Sequence, residues 1–425
     1  MISESPSHLS AGYSNKIKTA LLCFIAISPS LGTAVAALGR LLLYLWGLGA
    51  LLASLRGKEK SKAWPVNKPI TGIILIACFF YALSTLWSLV DLSEAWLAWS
   101  SYARLITIPL MYYLIKNSTQ GFLVLRAFTF TQVFACLSSW LLVFGFHPPW
   151  ISAVAPAETF TAYGTYIEQS VCQAAMVGIL WFKRDSILGP KGKPIAFVII
   201  IASILLVFVY LPGRTGHLAM LGVIALACIH AVPNKLRPLA LLAPLFAAAA
   251  LLLLSPNIQQ RSVSVQQELA SFYNSNNVST SVGTRLHFWA ISTKGIIENP
   301  VIGVGAGSWK IEYRRQVEAG SHSGAVSIAN ADNPHQEFFI WGVEGGLVGL
   351  GLLFAVLLAV YKQSGHLQDS DAWALRAMLL VLTISCLFNS ILHGIGIGDF
   401  FCVGIGIILS LSVGKCSPVN LPKEK

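Results

Sequence analysis

Charge is what this sequence lacks most. Only 11% of its 425 residues are charged and just 18 are Asp or Glu, while 55% are hydrophobic and the mean hydropathy is +0.68. Soluble domains carry about a quarter of their residues as charges. So few polar side chains cannot cover the globular surfaces of a chain this long, which excludes a soluble protein and leaves most of the surface facing lipid. Metal-ligand spacing is missing too. The eight cysteines (Cys23, Cys78, Cys136, Cys172, Cys228, Cys386, Cys402 and Cys416) lie singly in apolar stretches or, for Cys416, in the C-terminal tail. A zinc site or a disulfide framework is therefore not expected. Nor does an internal repeat mark the two halves of an inverted-repeat transporter.

Long apolar runs are abundant. A membrane span needs about 20 mostly apolar residues, and twelve segments qualify: roughly 17–33, 36–55, 69–90, 95–115, 121–145, 166–182, 195–211, 215–232, 237–254, 335–361, 372–392 and 397–414. The first could be read as a signal peptide, because Lys16 and Lys18 precede an apolar run ending in Ala34-Val35-Ala36; its apolar character continues into a second span, which favours a span. The expected fold class is an all-α polytopic membrane protein of about 12 transmembrane helices. Residues 1–254 would hold helices 1–9, residues 255–334 one large outside loop with short helices, and residues 335–425 helices 10–12 and a cytoplasmic tail.

The net charge of +11 would suggest nucleic acid in a soluble domain. In a membrane chain, basic residues instead gather in cytoplasmic loops. With both termini inside, 18 of the 29 Lys and Arg fall on inside segments, and the short outside connections hold Arg214 alone. The asymmetry fixes an orientation and implies no nucleic-acid partner.

Basic residues outside, and polar groups at membrane depth, are candidates for function because leaving them unused is costly. Leu211-Pro-Gly-Arg-Thr-Gly-His217 joins spans seven and eight, where glycines would let the backbone approach a ligand and Arg214 suits a phosphate. His217, one turn on, reads more readily as a structural histidine. Arg285 is placed on the outside loop just before an apolar helix that ends at Asn299-Pro300. The turn Gly303-Val-Gly-Ala-Gly307 comes next; it has the look of a phosphate cradle but lacks the following Lys-Ser or Lys-Thr. The stretch Gln259 to Thr284 reads as a short helix and a flexible loop. Asp332-Asn-Pro-His-Gln-Glu337 re-enters the membrane, placing His335 in the first turn of span ten, where the helix's positive end favours the neutral imidazole a general base needs. Arg40, Arg104, His393 and Asp399 form a fourth group, in which a structural ion pair and a substrate contact are equally open. Asp369-Ser370-Asp371 resembles a metal-chelating pair but is expected to be a solvated cytoplasmic turn, and no metal is expected.

Gly213-Arg-Thr-Gly216, the run from Arg285-Leu-His-Phe-Trp289 to Glu298-Asn-Pro-Val-Ile-Gly-Val-Gly-Ala-Gly-Ser-Trp309, and Asn333-Pro-His-Gln-Glu-Phe-Phe339 with Glu344-Gly-Gly-Leu-Val-Gly349 together resemble the O-antigen ligase family. That family lies within the wider group of O-antigen polymerases and bacterial oligosaccharyltransferases, and the motifs span about Ile195 to Tyr361. The resemblance implies a metal-independent glycosyltransferase of the Gram-negative inner membrane, working without cofactor at the periplasmic face. A glycan on undecaprenyl pyrophosphate would pass to a sugar hydroxyl of lipid A–core in lipopolysaccharide biosynthesis. Arg214 and Arg285 match the arginines thought to hold the pyrophosphate, His335 matches the essential histidine, and Asp399 loosely matches a C-terminal acidic residue; Arg40, Arg104 and His217 would at most support them. Gln336 departs from the usual Asn but keeps an amide. A polymerase, a protein O-oligosaccharyltransferase and, from another class, a lipid-linked glycan flippase are the alternatives.

Overall fold

The computed structural model describes residues 6–56, 69–151, 159–240, 256–275, 277–320 and 331–412, with isolated positions between 242 and 253. Every regular element among these residues is helical. In chain order the α-helices of eight residues or more are α1 (Pro6–Ile27), α2 (Thr33–Leu55), α3 (Pro69–Ser84), α4 (Leu92–Ala103), α5 (Thr107–Leu114), α6 (Ser118–Val143), α7 (Tyr166–Ile187), α8 (Lys193–Leu205), α9 (Arg214–Ala231), α10 (Pro256–Ser275), α11 (Ser281–Glu298), α12 (Trp309–Glu318), α13 (Glu337–Ser364), α14 (Asp369–Cys386) and α15 (Ile397–Ser410). Among the described residues, five helices are long and apolar enough to cross a membrane: Thr33–Leu55, Ser118–Val143, Pro190–Tyr210, Arg214–Ala231 and Glu337–Ser364. Eleven of the twelve expected segments coincide with a helix or a broken pair of helices; the segment 237–254 falls largely outside the described residues.

Apolar pattern decides which helices sit inside. On α2, Leu38, Leu41, Leu45, Leu48 and Leu52 form an exposed stripe, while Gly39, Leu43 and Gly47 face inward. Small residues there let helices approach closely, the usual means of association where lipid removes the hydrophobic drive. In contrast, α15 is buried along its whole length and α7 from Gln169 to Leu180. These two helices are the inner pair, with α9 and α14 packed on α7 and α5 on α15.

Two breaks in the helices shape the region around Arg214 and Glu344. The chain of α8 ends in a π-helical turn, Leu206–Tyr210, before α9 begins at Arg214. Inside α13, Gly346 has φ 60° and ψ −154°, which interrupts the helix and frees backbone groups on either side. The turn after Asn299-Pro300 supplies their partners. Val304 N–H donates to Val343 O (3.0 Å) and Gly305 N–H to Glu344 O (3.0 Å), while Leu347 N–H reaches Pro300 O (2.7 Å) and Val348 N–H reaches Val301 O (3.1 Å). The glycine-rich turn is thus a plug for a helix break, and its likeness to a phosphate cradle is superficial.

Other expectations are corrected. The stretch Gln259 to Thr284 holds most of a 20-residue helix, α10 (Pro256–Ser275), and only a short turn at 277–280 before α11, so the helix is longer and the loop shorter than expected. Asp371 is no solvated turn residue: it is buried and paired with the buried Lys183, whereas the exposed Asp369 accepts from the Trp373 indole N–H at 3.1 Å. A helix start that packs against α7 can bury one carboxylate of such a pair and leave the other in solvent. The seven described cysteines are free thiols; Cys416 lies outside the described residues.

Candidate active site

Arg214 is the first residue of α9, after the Gly213 cap. Side chains at Gly213 or Gly216 would collide with Ser170 on α7, so these glycines serve helix packing, a different use from the ligand approach expected of them. His217 is structural in its contacts: its Nε2 lies 2.9 Å from Val207 O and 3.0 Å from Leu211 O, tying α9 to the π-turn before it.

Arg285 lies one turn inside α11, whose cap is Thr280, so it sits on a helix and not on the loop before it. The helix extends further toward its N-terminus than its apolar pattern because the Thr280 hydroxyl accepts the Gly283 N–H at 3.0 Å. That placement brings Arg285 to Arg214. Both line one cavity of about 260 Å³ whose other walls include Leu218, Val265, Leu286, Trp289 and Phe388. Arg214 Nη2 donates to Ser281 Oγ at 3.2 Å, holding α9 to the start of α11. Burial, and then the charge of Arg214, push the Arg285 guanidinium below its ordinary pKa. Glu268, whose charge also reaches Arg285, is already engaged: its Oε2 accepts the Val282 N–H at 2.9 Å. Two neighbouring cations beside an apolar-walled cavity favour an anion close to both.

His335 lies two residues before α13, in the left-handed region at φ 51°, so it is not in the helix's first turn as its sequence position suggested. A non-glycine residue pays for that conformation with about 1–3 kcal/mol and keeps it only where its surroundings insist. Here Asn333 Oδ1 accepts the His335 N–H at 2.8 Å, and the imidazole stacks on Phe288 of α11 at a centroid separation of 6.0 Å and 23° between planes. Burial lowers the His335 pKa first, the charge of Arg285 lowers it further, and Asp332 opposes them. The neutral bias expected at this position is present. Its leading cause is burial, not the helix end.

The fourth group divides. Asp399, in the first turn of α15, pairs with Arg40 at 2.9 Å and with Arg104 at 3.3 Å, and Arg104 also donates to Leu392 O. His393 joins a different acid: its Nδ1 lies 2.8 Å from Glu337 Oε1, and Glu337 Oε2 accepts the Leu392 N–H at 2.9 Å. Arg40, Arg104 and Asp399 thus balance one another's charge inside the bundle. They do not line the cavity of Arg214 and Arg285.

Residues 197–354 match the family model described as O-antigen ligase. That stretch is similar to the family's domain. The matched stretch runs from α8 into α13 and contains Arg214, Arg285 and His335. No curated protein matches the chain. Sequence reasoning missed the residues that buttress these three, most of them C-terminal to the matched stretch. Thr215 and Phe388 line the cavity, Asn389 Nδ2 donates to Thr215 Oγ1 at 2.8 Å, and Ser390 Oγ donates to Asn333 Oδ1 at 3.1 Å. Asn389 and Ser390 fell inside an expected span, and polar side chains at that depth were the signal that could have found them.

Proposed function

We propose that the protein is an O-antigen ligase: a periplasmic-face glycosyltransferase of the Gram-negative inner membrane that moves a glycan from undecaprenyl pyrophosphate to lipid A–core. The observation that carries this reading is the cavity shared by Arg214 and Arg285, with polyprenyl-compatible apolar walls and His335 within reach of Arg285's charge. The topology is the twelve-span one, with both termini cytoplasmic, residues 255–334 outside, and the flanking residues 1–254 and 335–425 forming the membrane domain.

These groups divide the chemistry among them. The acceptor hydroxyl oxygen attacks the anomeric carbon as the bond from that carbon to the pyrophosphate oxygen breaks. His335, neutral at working pH, takes the hydroxyl proton on a ring nitrogen. The two guanidiniums meet the charge that develops on the departing pyrophosphate by charge-assisted hydrogen bonds, so transfer proceeds in EDTA. A single in-line displacement inverts the anomeric centre. Arg40, Arg104 and Asp399 support the fold of this site, and His217 supports the entry to α9.

The test is reconstitution of purified protein with a lipid-linked glycan, with and without lipid A–core. A product formed only with lipid A–core, of inverted configuration, is expected. Chain extension without lipid A–core would make it a polymerase, and retained configuration or a covalent glycosyl-enzyme would refute the displacement. Arg214→Ala, Arg285→Ala and His335→Ala each abolish transfer while the protein still inserts; full activity in any one removes that residue from the mechanism.

A further inference from the structure

We propose that Asn389 and Ser390, in the turn after α14, are positioning residues that set the register between the arginine cavity and His335; the proposal rests on the ligase reading of that site. The turn from Phe388 to His393 touches both halves of it. Phe388 is itself a wall of the cavity. Asn389, nine-tenths buried, donates from Nδ2 to Thr215 Oγ1 at 2.8 Å, and Thr215 is the residue next to Arg214 in the first turn of α9. One residue later the direction changes. Ser390 donates to Asn333 Oδ1 at 3.1 Å, the same oxygen that accepts the His335 N–H at 2.8 Å and so keeps His335 left-handed.

The turn is anchored from below. Glu337, fully buried, accepts the Leu392 N–H at 2.9 Å, His393 Nδ1 at 2.8 Å and the Trp341 indole N–H at 2.8 Å, and Arg104 donates to Leu392 O. Two adjacent side chains therefore fix, from one rigid support, the backbone beside the pyrophosphate-facing arginine and the backbone of the base. An in-line displacement needs those two groups on opposite sides of one carbon, and a shift of about 1 Å between them is enough to cost on the order of a hundredfold in rate. Neither Asn389 nor Ser390 lines the cavity, so each acts through Thr215 or Asn333.

The two residues should then have different kinetic signatures. In reconstituted protein, Asn389→Ala is expected to raise the KM for the lipid-linked donor about tenfold with kcat within about twofold, whereas Ser390→Ala lowers kcat about tenfold with KM within about twofold. Ser390→Thr keeps the hydroxyl and restores kcat to within about threefold of the parent. Binding of undecaprenyl pyrophosphate, measured by calorimetry without any acceptor, should weaken about tenfold in Asn389→Ala and stay within about twofold in Ser390→Ala. Thermal midpoints in detergent are read on the same samples. If both alanine variants change binding equally, or lose activity in step with a fallen midpoint, the turn is only structural and the proposal is overturned. A parent protein that binds undecaprenyl pyrophosphate but transfers nothing to lipid A–core would refute the ligase reading alone, and the binding contrast would still decide the role of the turn.

Discussion

Gly303→Ala should be among the most damaging single substitutions in this protein, although Gly303 touches no substrate group. Its φ of +63° belongs to the left-handed region, which costs a side-chain-bearing residue about 1–2 kcal/mol. The added Cβ would also sit 2.5 Å from the Glu344 carbonyl carbon, 2.5 Å from Val343 O and 2.6 Å from Gly345 N. All three are backbone atoms, so no side chain can swing away. The turn must withdraw from α13, loosening the four hydrogen bonds that close the break at Gly346. Leaving even two of those groups unpaired costs about 1–3 kcal/mol each, so a total loss of about 4 kcal/mol or more is expected. Gly351, on the same helix, has open space where its Cβ would be, and Gly351→Ala should be neutral or slightly stabilising, by at most about 1 kcal/mol. The assay is thermal unfolding of the two variants side by side in detergent, with transfer activity measured on the folded fraction. A Gly303→Ala protein as stable as the parent would refute the plug.

Three further expectations stand beside this one. Asp399→Asn leaves Arg40 and Arg104 without their carboxylate inside the bundle, where Arg104 is 1% exposed. A destabilisation of about 3–5 kcal/mol by thermal unfolding is expected, partly relieved by adding Arg40→Met; an unchanged midpoint would mean that the triad is not structural. For a base with a lowered pKa the sign is definite: His335 is neutral above its folded pKa, so transfer is full at neutral pH and falls as pH drops through a value below the ordinary 6.5. Because the Asp332 charge raises that pKa, Asp332→Asn should move the acid limb of kcat/KM to lower pH, and a shift the other way would contradict the assignment.

The positions of most helices were legible in the sequence because a bilayer imposes a strict code, in which a long apolar run makes a helix. The three residues proposed for chemistry were legible for a related reason, since each is a polar group in or beside glycine- and proline-marked turns at helix ends. Helix starts were less so. Arg285 lies within α11 because a Thr280 cap extends the helix beyond its apolar stripe, and His335 lies outside α13 because an Asn333 side chain diverts the backbone first. Both are local hydrogen bonds that hydropathy does not register.

What the sequence by itself determined is the all-helical membrane character, the positions of most helices and the candidates Arg214, Arg285 and His335. Only the tertiary structure decided what meets what. It put Arg214 and Arg285 in one cavity, though they are far apart in the chain, gave Arg40 and Arg104 to Asp399, and turned a phosphate-like glycine run into the closure of a helix break. For the last two the physical reason is the same. Intramembrane charges and broken helices must find partners within the protein, and which partner is reached depends on how distant helices pack, which no local pattern encodes.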